Sequence, residues 1–115
     1  MSELEPQMQI EKEILEKIYK KNRSKGKDIT GRWKNWDFQQ DSTISKKWNG
    51  VLDINYGHIT KLDLSGRGLK KIPKSIQLLE KLEYLNLSNN RLTGKSNFLN
   101  FILHLYNRIF NVLCL

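Results

Sequence analysis

The chain has 115 residues, of which 38% are hydrophobic and 28% are charged, a composition that excludes intrinsic disorder and allows one small domain. Its formal net charge of +8 favours the approach of acidic partners of any class. The single cysteine, Cys114, excludes an internal disulfide, and the N-terminus has no secretion signal, so a cytoplasmic location is expected.

The N-terminal segment is predicted to hold a disordered lead over residues 1–9 and an amphipathic helix over about 10–22. The apolar residues of this helix recur every three or four positions and so share one face. They are Ile10, Ile14, Leu15, Ile18 and Tyr19. Acidic side chains come before basic ones along the segment, an order that suits the helix dipole.

A tryptophan-rich stretch follows the helix. Trp33 and Trp36 are predicted to lie in a loop, and Trp48 and Gly50 lead into a short apolar run. That run is predicted to form a strand that pairs with the edge of the next strand. Its apolar residues are Val51, Leu52 and Ile54.

One pattern then occurs twice, as I-T-K-L-D-L-S-G-R-G-L from Ile59 and as L-E-Y-L-N-L-S-N-N-R-L from Leu82. Within each copy two leucines alternate with polar residues, which predicts a short strand with one buried face. The inward residues are Leu62, Leu64, Leu85 and Leu87. Because one copy cannot cover its own apolar face, the two copies are expected to stack.

Both copies fit L-x-x-L-x-L-x-x-N-x-L at an offset of 23 residues, and in this the chain resembles the leucine-rich repeat family. The resemblance implies an α/β fold, a short solenoid of parallel strands with an N-terminal cap and a C-terminal helix. Asn90 stands where the family uses an asparagine to bind backbone groups of the loop. In the first copy Arg67 stands there, and the flanking Gly66 and Gly68 are expected to close that bend through the backbone alone.

The segment before the repeats is similar to the N-terminal cap of plant-type, receptor-like members of the family. A helix, a tryptophan loop, a W-x-G-V motif at Trp48–Val51 and a G-x-V-T-like motif at Gly57–Thr60 come in the family's order. The predicted organisation is a cap at 10–58, two repeats at 59–97 and a tail at 98–115. About three repeats are normally needed for a stable array, so the chain is expected to be a fragment, truncated after about two repeats.

The tail at 98–115 is mostly apolar. A third copy should begin near position 105, but this places Arg108 where a core leucine belongs. The polar residues of the tail fall within about a third of the helical circumference, which predicts a helix with a wide apolar face. Three interpretations stay open: a lid over the end of the repeats, a membrane contact, and a non-native tail left by a truncated reading frame.

The solvent-facing positions of the repeat strands are the candidate binding site. They are Lys61, Asp63 and Ser65 in the first copy and Tyr84, Asn86 and Ser88 in the second. Since solenoids bind through their concave faces, the expected function is a non-catalytic protein–protein interaction module, with a role in scaffolding or signal transduction. Tyr84 is the expected anchor, because aromatic residues dominate binding hot spots.

An alternative is a basic binder of nucleic acid or of an anionic membrane surface. It would use the stretch Lys20–Lys34 and the C-terminal apolar helix. The cap resemblance already accounts for the tryptophans in that stretch, so nucleic acid is the less expected partner. His58, His104 and Cys114 form no metal-ligand or catalytic cluster, and neither a cofactor nor an enzymatic activity is expected. The identity of the protein partner and the oligomeric state stay open.

Overall fold

The computed structural model describes residues 6–23, 31–92 and 111–113, the last of these as backbone. Its elements are helix α1 (Pro6–Asn22), strands β1 (Val51–Asn55) and β2 (His58–Asp63), a 3₁₀ helix (Lys74–Leu78), and strands β3 (Tyr84–Asn86) and β4 (Asn111–Leu113). Mixed helix and strand with one small sheet is compatible with the α/β fold of leucine-rich repeats.

Helix α1 begins at Pro6, so the prediction of a disordered lead over 1–9 is wrong for residues 6–9. Proline suits the first helical position, because its fixed φ fits the helix and its missing N–H would have no partner there. The side-chain amide of Gln7 also anchors this first turn, since it donates to Leu78 O at 3.1 Å. Residues 1–5 lie outside the described part.

The buried face of α1 differs from the predicted one at its N-terminal end. Ile10 is 37% exposed, whereas Glu11 is fully buried. Glu11 turns inward because its Oε1 accepts the Ile59 N–H at 2.8 Å and its Oε2 lies 2.9 Å from His58 Nδ1. The N-terminal part of the helix therefore binds the start of β2 through a carboxylate, and Ile10 is turned towards solvent.

The four strands form one sheet in the order β1-β2-β3-β4. β1 and β2 are an antiparallel hairpin, whose turn at Tyr56 and Gly57 has φ of 51° and 80°. Positive φ at both central residues gives the turn the twist that a tight hairpin requires. β2 pairs with β3 in parallel, and β3 pairs with β4 in parallel.

The core lies between this sheet, α1 and the segment that returns from β2 to β3. The strand leucines fill it from one side, Ile14, Leu15 and Ile18 of α1 from another, and Ile76 and Leu79 from the return segment. Each fully buried side chain of this size contributes about 1.5–3 kcal/mol. The leucines of the two copies thus share one apolar interior.

The predicted C-terminal helix over 98–115 is wrong at residues 111–113, which form β4. Tyr84 of β3 pairs with Asn111, a step of 27 residues, whereas Lys61 pairs with Tyr84 at a step of 23. Strand β4 therefore comes later in the chain than a constant 23-residue spacing predicts. Residues 93–110 and 114–115, which hold the rest of that prediction, lie outside the described part of the chain.

Candidate functional site

The outward-facing residues of β2 and β3 lie side by side across the sheet. The parallel register sets Lys61 beside Tyr84 and Asp63 beside Asn86, the neighbours that the 23-residue offset predicts. The ladder continues past the strands, because Leu64 N donates to Asn86 O at 2.8 Å and Gly66 N donates to Ser88 O at 3.0 Å. The six predicted binding residues are therefore brought together on one surface.

Four of these six residues are also used within the fold, in a turn that both copies form identically. Asp63 Oδ1 accepts hydrogen bonds from the Ser65 N–H at 2.9 Å and the Ser65 hydroxyl at 2.6 Å. Asn86 Oδ1 accepts the same pair of bonds from Ser88, at 3.0 and 2.6 Å. These side chains end their strands by satisfying local donors. They are therefore poorer candidates for partner contacts than the residues on the next row.

That next row contains Lys61 and Tyr84, with Leu52 of β1 on one side. These three residues and Glu83 line a shallow depression of about 380 Å³. Leu52 is 47% exposed, an unusual exposure for a leucine in a paired strand. It reaches this surface because successive side chains of a strand alternate between its two faces, and the neighbouring Val51 is buried. The strand itself was predicted, but Leu52 and Glu83 were not predicted as site residues.

The inward residues that support this row are tightly buried. Leu62, Leu64 and Leu85 are 0% exposed and Leu87 is 1% exposed. Their packing holds the strands in register and so fixes the spacing of the outward side chains. The sequence signal for Leu52 is its alternation with Val51 along the predicted strand.

Asn90 holds the loop that follows β3. Its Oδ1 accepts the N–H groups of Arg67 at 2.9 Å and of Leu69 at 3.0 Å, so it reaches the preceding copy. Its Nδ2 donates to Leu64 O at 2.9 Å and to Leu87 O at 3.0 Å. One carboxamide thus satisfies backbone groups of two successive copies, the role that the repeat pattern predicts for this position.

Arg67 takes the corresponding place in the first copy, and the prediction that glycines alone close this bend is wrong. Gly66 and Gly68 do adopt positive φ, 63° and 68°. The Arg67 side chain adds bonds of its own: its Nη2 donates to Asn49 Oδ1 at 2.7 Å and to Asp63 O at 3.1 Å. The longer side chain thus ties the first bend to the cap residue Asn49.

The cap tryptophans form one aromatic cluster. Trp48 is 3% exposed, and its ring lies 5.7 Å from that of Trp36, which is 4.8 Å from that of Trp33. The Arg67 guanidinium carbon lies 5.0 Å from the centroid of Trp33, a cation–π distance. Gly50 has φ of +99°, and a Cβ there would lie 2.3 Å from Asp63 O. The tryptophans and Gly50 thus pack closely against the first repeat.

The side chains that could bind a metal ion are not clustered over the described residues. Among them, no three His, Cys, Asp or Glu side chains are grouped so as to hold a metal ion. His58 contacts Glu11, while His104 and Cys114 lie outside the described part. No helix within 6–23 and 31–92 is long and apolar enough to cross a membrane, and most of the predicted membrane-contact segment, 98–115, is not described.

Comparison with known proteins supports the repeat. A family model described as Leucine Rich Repeat matches residues 81–107, which include the second copy. No curated protein and no solved structure matches the chain. Repeats of this kind are generally non-catalytic and generally serve protein–protein interaction. The chain therefore carries a leucine-rich repeat, at residues 81–107.

Proposed function

We propose that this protein is a non-catalytic protein-binding module, a short leucine-rich repeat solenoid that holds a partner against the outward face of β2 and β3. The observation that carries the proposal is the depression lined by Leu52, Lys61, Glu83 and Tyr84. It combines an exposed leucine and an aromatic ring with one charge of each sign. Interface hot spots have this composition, an apolar anchor surrounded by polar groups.

The side chains of Lys61 and Tyr84 are available for such a contact. Over residues 6–23 and 31–92, neither the Lys61 amine nor the Tyr84 hydroxyl has a hydrogen-bond partner in the structure. In contrast, Asn86 and Ser88 are already bonded to each other. We infer that binding energy is concentrated on Tyr84 and Leu52, whereas Asp63, Ser65, Asn86 and Ser88 shape the rim.

The partner is a protein, and the role is scaffolding or signalling within the cytoplasm. The repeat type supports the protein partner and its role, and the sequence supports the location in the cytoplasm. A cap of the plant-type, receptor-like kind before the repeats belongs to the proposal as well. The rival function is a nucleic-acid binder on Lys20–Lys34. Such a binder would use aromatic rings to stack on bases, whereas Trp33 and Trp36 pack within the cap cluster.

The test uses Tyr84→Ala, with Tyr56→Ala as the matched control. Tyr56 is 93% exposed in the β1–β2 turn and does not line the depression, so both variants lose one tyrosine from the surface. A partner would first be captured with a photo-crosslinking residue at position 61 and identified, then purified. Its Kd would be measured for each variant by calorimetry.

Tyr84→Ala should weaken binding by about 30-fold, the loss typical of a hot-spot residue, and Tyr56→Ala should change the Kd by less than about twofold. Circular dichroism should show that both variants stay folded. Equal Kd values for the two variants would place the partner elsewhere. Changing Asn86 is a poorer test, because it would also remove the two turn bonds from Ser88.

A further inference from the structure

A second concave surface lies where the end of α1 meets the loops that follow β2 and β3. This basic cleft has a volume of about 450 Å³ and shares no lining residue with the Tyr84 depression. Five of its lining residues carry positive charge, and none of the described residues that line it is acidic. The five are Lys21, Arg23, Arg67, Lys70 and Arg91.

The walls of the basic cleft are fixed by hydrogen bonds. Asn22, the last residue of α1, donates from Nδ2 to Lys71 O at 2.9 Å and accepts the Lys70 N–H on Oδ1 at 2.9 Å. Arg91 N donates to Leu69 O at 2.9 Å and so joins the two repeat loops. The backbone that carries Lys70 and Arg91 is therefore held in place before any ligand binds.

The charges of the basic cleft are only partly explained by the fold. The Arg67 guanidinium is directed to Asn49 and Trp33, and that of Arg23 lies 5.5 Å from the Tyr19 ring centroid. Lys21 lies in the last turn of α1, where a cation offsets the helix dipole. Lys70 and Arg91 have no such role, and among the described residues neither has a carboxylate partner.

We propose that the basic cleft binds a phosphate-bearing group with at least two negative charges. Arginine and lysine are the residues that proteins use for phosphate, and several of them converging on one small volume favour a multiply charged anion. The volume lies within the range of about 300–1,000 Å³ that is usual for small-ligand sites. Single-stranded nucleic acid fits less well, because proteins that bind it add aromatic rings for stacking on the bases, and no aromatic residue lines the cleft among the described residues.

The experiment compares Lys70→Gln/Arg91→Gln with the control Lys47→Gln/Lys81→Gln in the full chain. All four residues are exposed, both pairs remove two positive charges, and the control residues do not line the cleft. One arm titrates inorganic pyrophosphate by calorimetry at fixed ionic strength. The other arm measures co-sedimentation with phosphatidylcholine vesicles, with and without phosphatidylinositol bisphosphate. Thermal unfolding checks that each variant is folded.

The cleft variant should bind at least about tenfold more weakly than the unmodified chain, since one lost charge-assisted hydrogen bond changes affinity by about that factor. The control should lose less than about twofold. This pattern with pyrophosphate supports a free phosphate ligand, and the same pattern with the phosphoinositide vesicles alone supports a lipid headgroup. Equal losses in the two variants, or no binding in either arm, would overturn the proposal.

Discussion

In the second copy of the repeat the loop after the strand is held by Asn90, whereas in the first copy the corresponding residue is Arg67. Asn90 bonds to the backbone of its own loop and of the preceding copy. Arg67 bonds to Asn49 in the cap, and its guanidinium packs near Trp33. Each residue thus ties its own loop to the unit that precedes it in the chain.

The difference shows that a repeat position depends on what precedes it. A short carboxamide suffices where an identical turn lies next to it, because the partner backbone is then always in the same place. The first copy is preceded by the cap instead, and there the longer Arg67 side chain bonds to Asn49. In this chain the departure from the repeat pattern at Arg67 therefore coincides with the boundary between cap and repeat.

The largest expected effect concerns the surroundings of Arg67. Gly50→Ala would place a Cβ 2.3 Å from Asp63 O and 2.4 Å from Arg67 Nη2, at a φ of +99°. Backbone strain and overlap together should lower the free energy of unfolding by about 4 kcal/mol or more. Urea denaturation followed by tryptophan fluorescence measures the loss. Gly68→Ala is the control: its φ is +68° with no atom within 4 Å of the added Cβ, so it should lose only about 1 kcal/mol.

Asn90→Ala should have the next largest effect. It removes a side chain that bonds to the N–H groups of Arg67 and Leu69 and to the carbonyls of Leu64 and Leu87. Leaving these groups without partners should lower the free energy of unfolding by about 2–4 kcal/mol. Asn90→Asp keeps the acceptor and loses the donors, so its denaturation midpoint should fall between those of the other two proteins. Equal midpoints for alanine and asparagine would show that the loop does not need these bonds.

Arg67→Asn should have the smallest effect of the three, and it tests the comparison most specifically. It gives the first copy the residue of the second, and it removes the Arg67 bonds to Asn49 and to Asp63 O. The free energy of unfolding should fall by about 1–3 kcal/mol, with Arg67→Lys in between because lysine lacks the planar fork. A rise in stability with asparagine would mean that the cap presents a repeat-like backbone after all.

Much of the repeat could be predicted from the sequence, because its pattern reports burial directly. Alternating leucines predict which face is inward, and the 23-residue offset predicts the neighbours Lys61 and Tyr84. The role of Asn90 followed from the resemblance to leucine-rich repeats, and the donors and acceptor of a carboxamide suit that role. The binding role of the outward residues stays a prediction, since their geometry does not identify a partner.

The failures have one cause, which is that a local pattern does not reveal tertiary partners. Glu11 is buried and Ile10 is exposed because β2 presents an N–H and a histidine to the helix. In the tail, apolar residues at helical spacing suggested a helix, but strand pairing with β3 decided the structure at 111–113.

Strand β4, the strand of a third copy, could have been found from the sequence at a longer repeat spacing. At a step of 27 residues, Ile109, Val112 and Cys114 take the places of Leu82, Leu85 and Leu87 in the pattern. This step lies within the range of about 20–29 residues for these repeats. A constant repeat length of 23 residues does not predict the strand at 111–113.

The most direct test of the stacked copies is the pattern of backbone NOEs in the isotopically labelled chain. Parallel pairing predicts cross-strand contacts between the backbones of Leu62 and Leu85, and equally between those of Leu85 and Val112. The outward row that contains Tyr84 depends on this register. Contacts between residues three apart along 109–113, as in a helix, with no cross-strand contact to Leu85, would contradict the account.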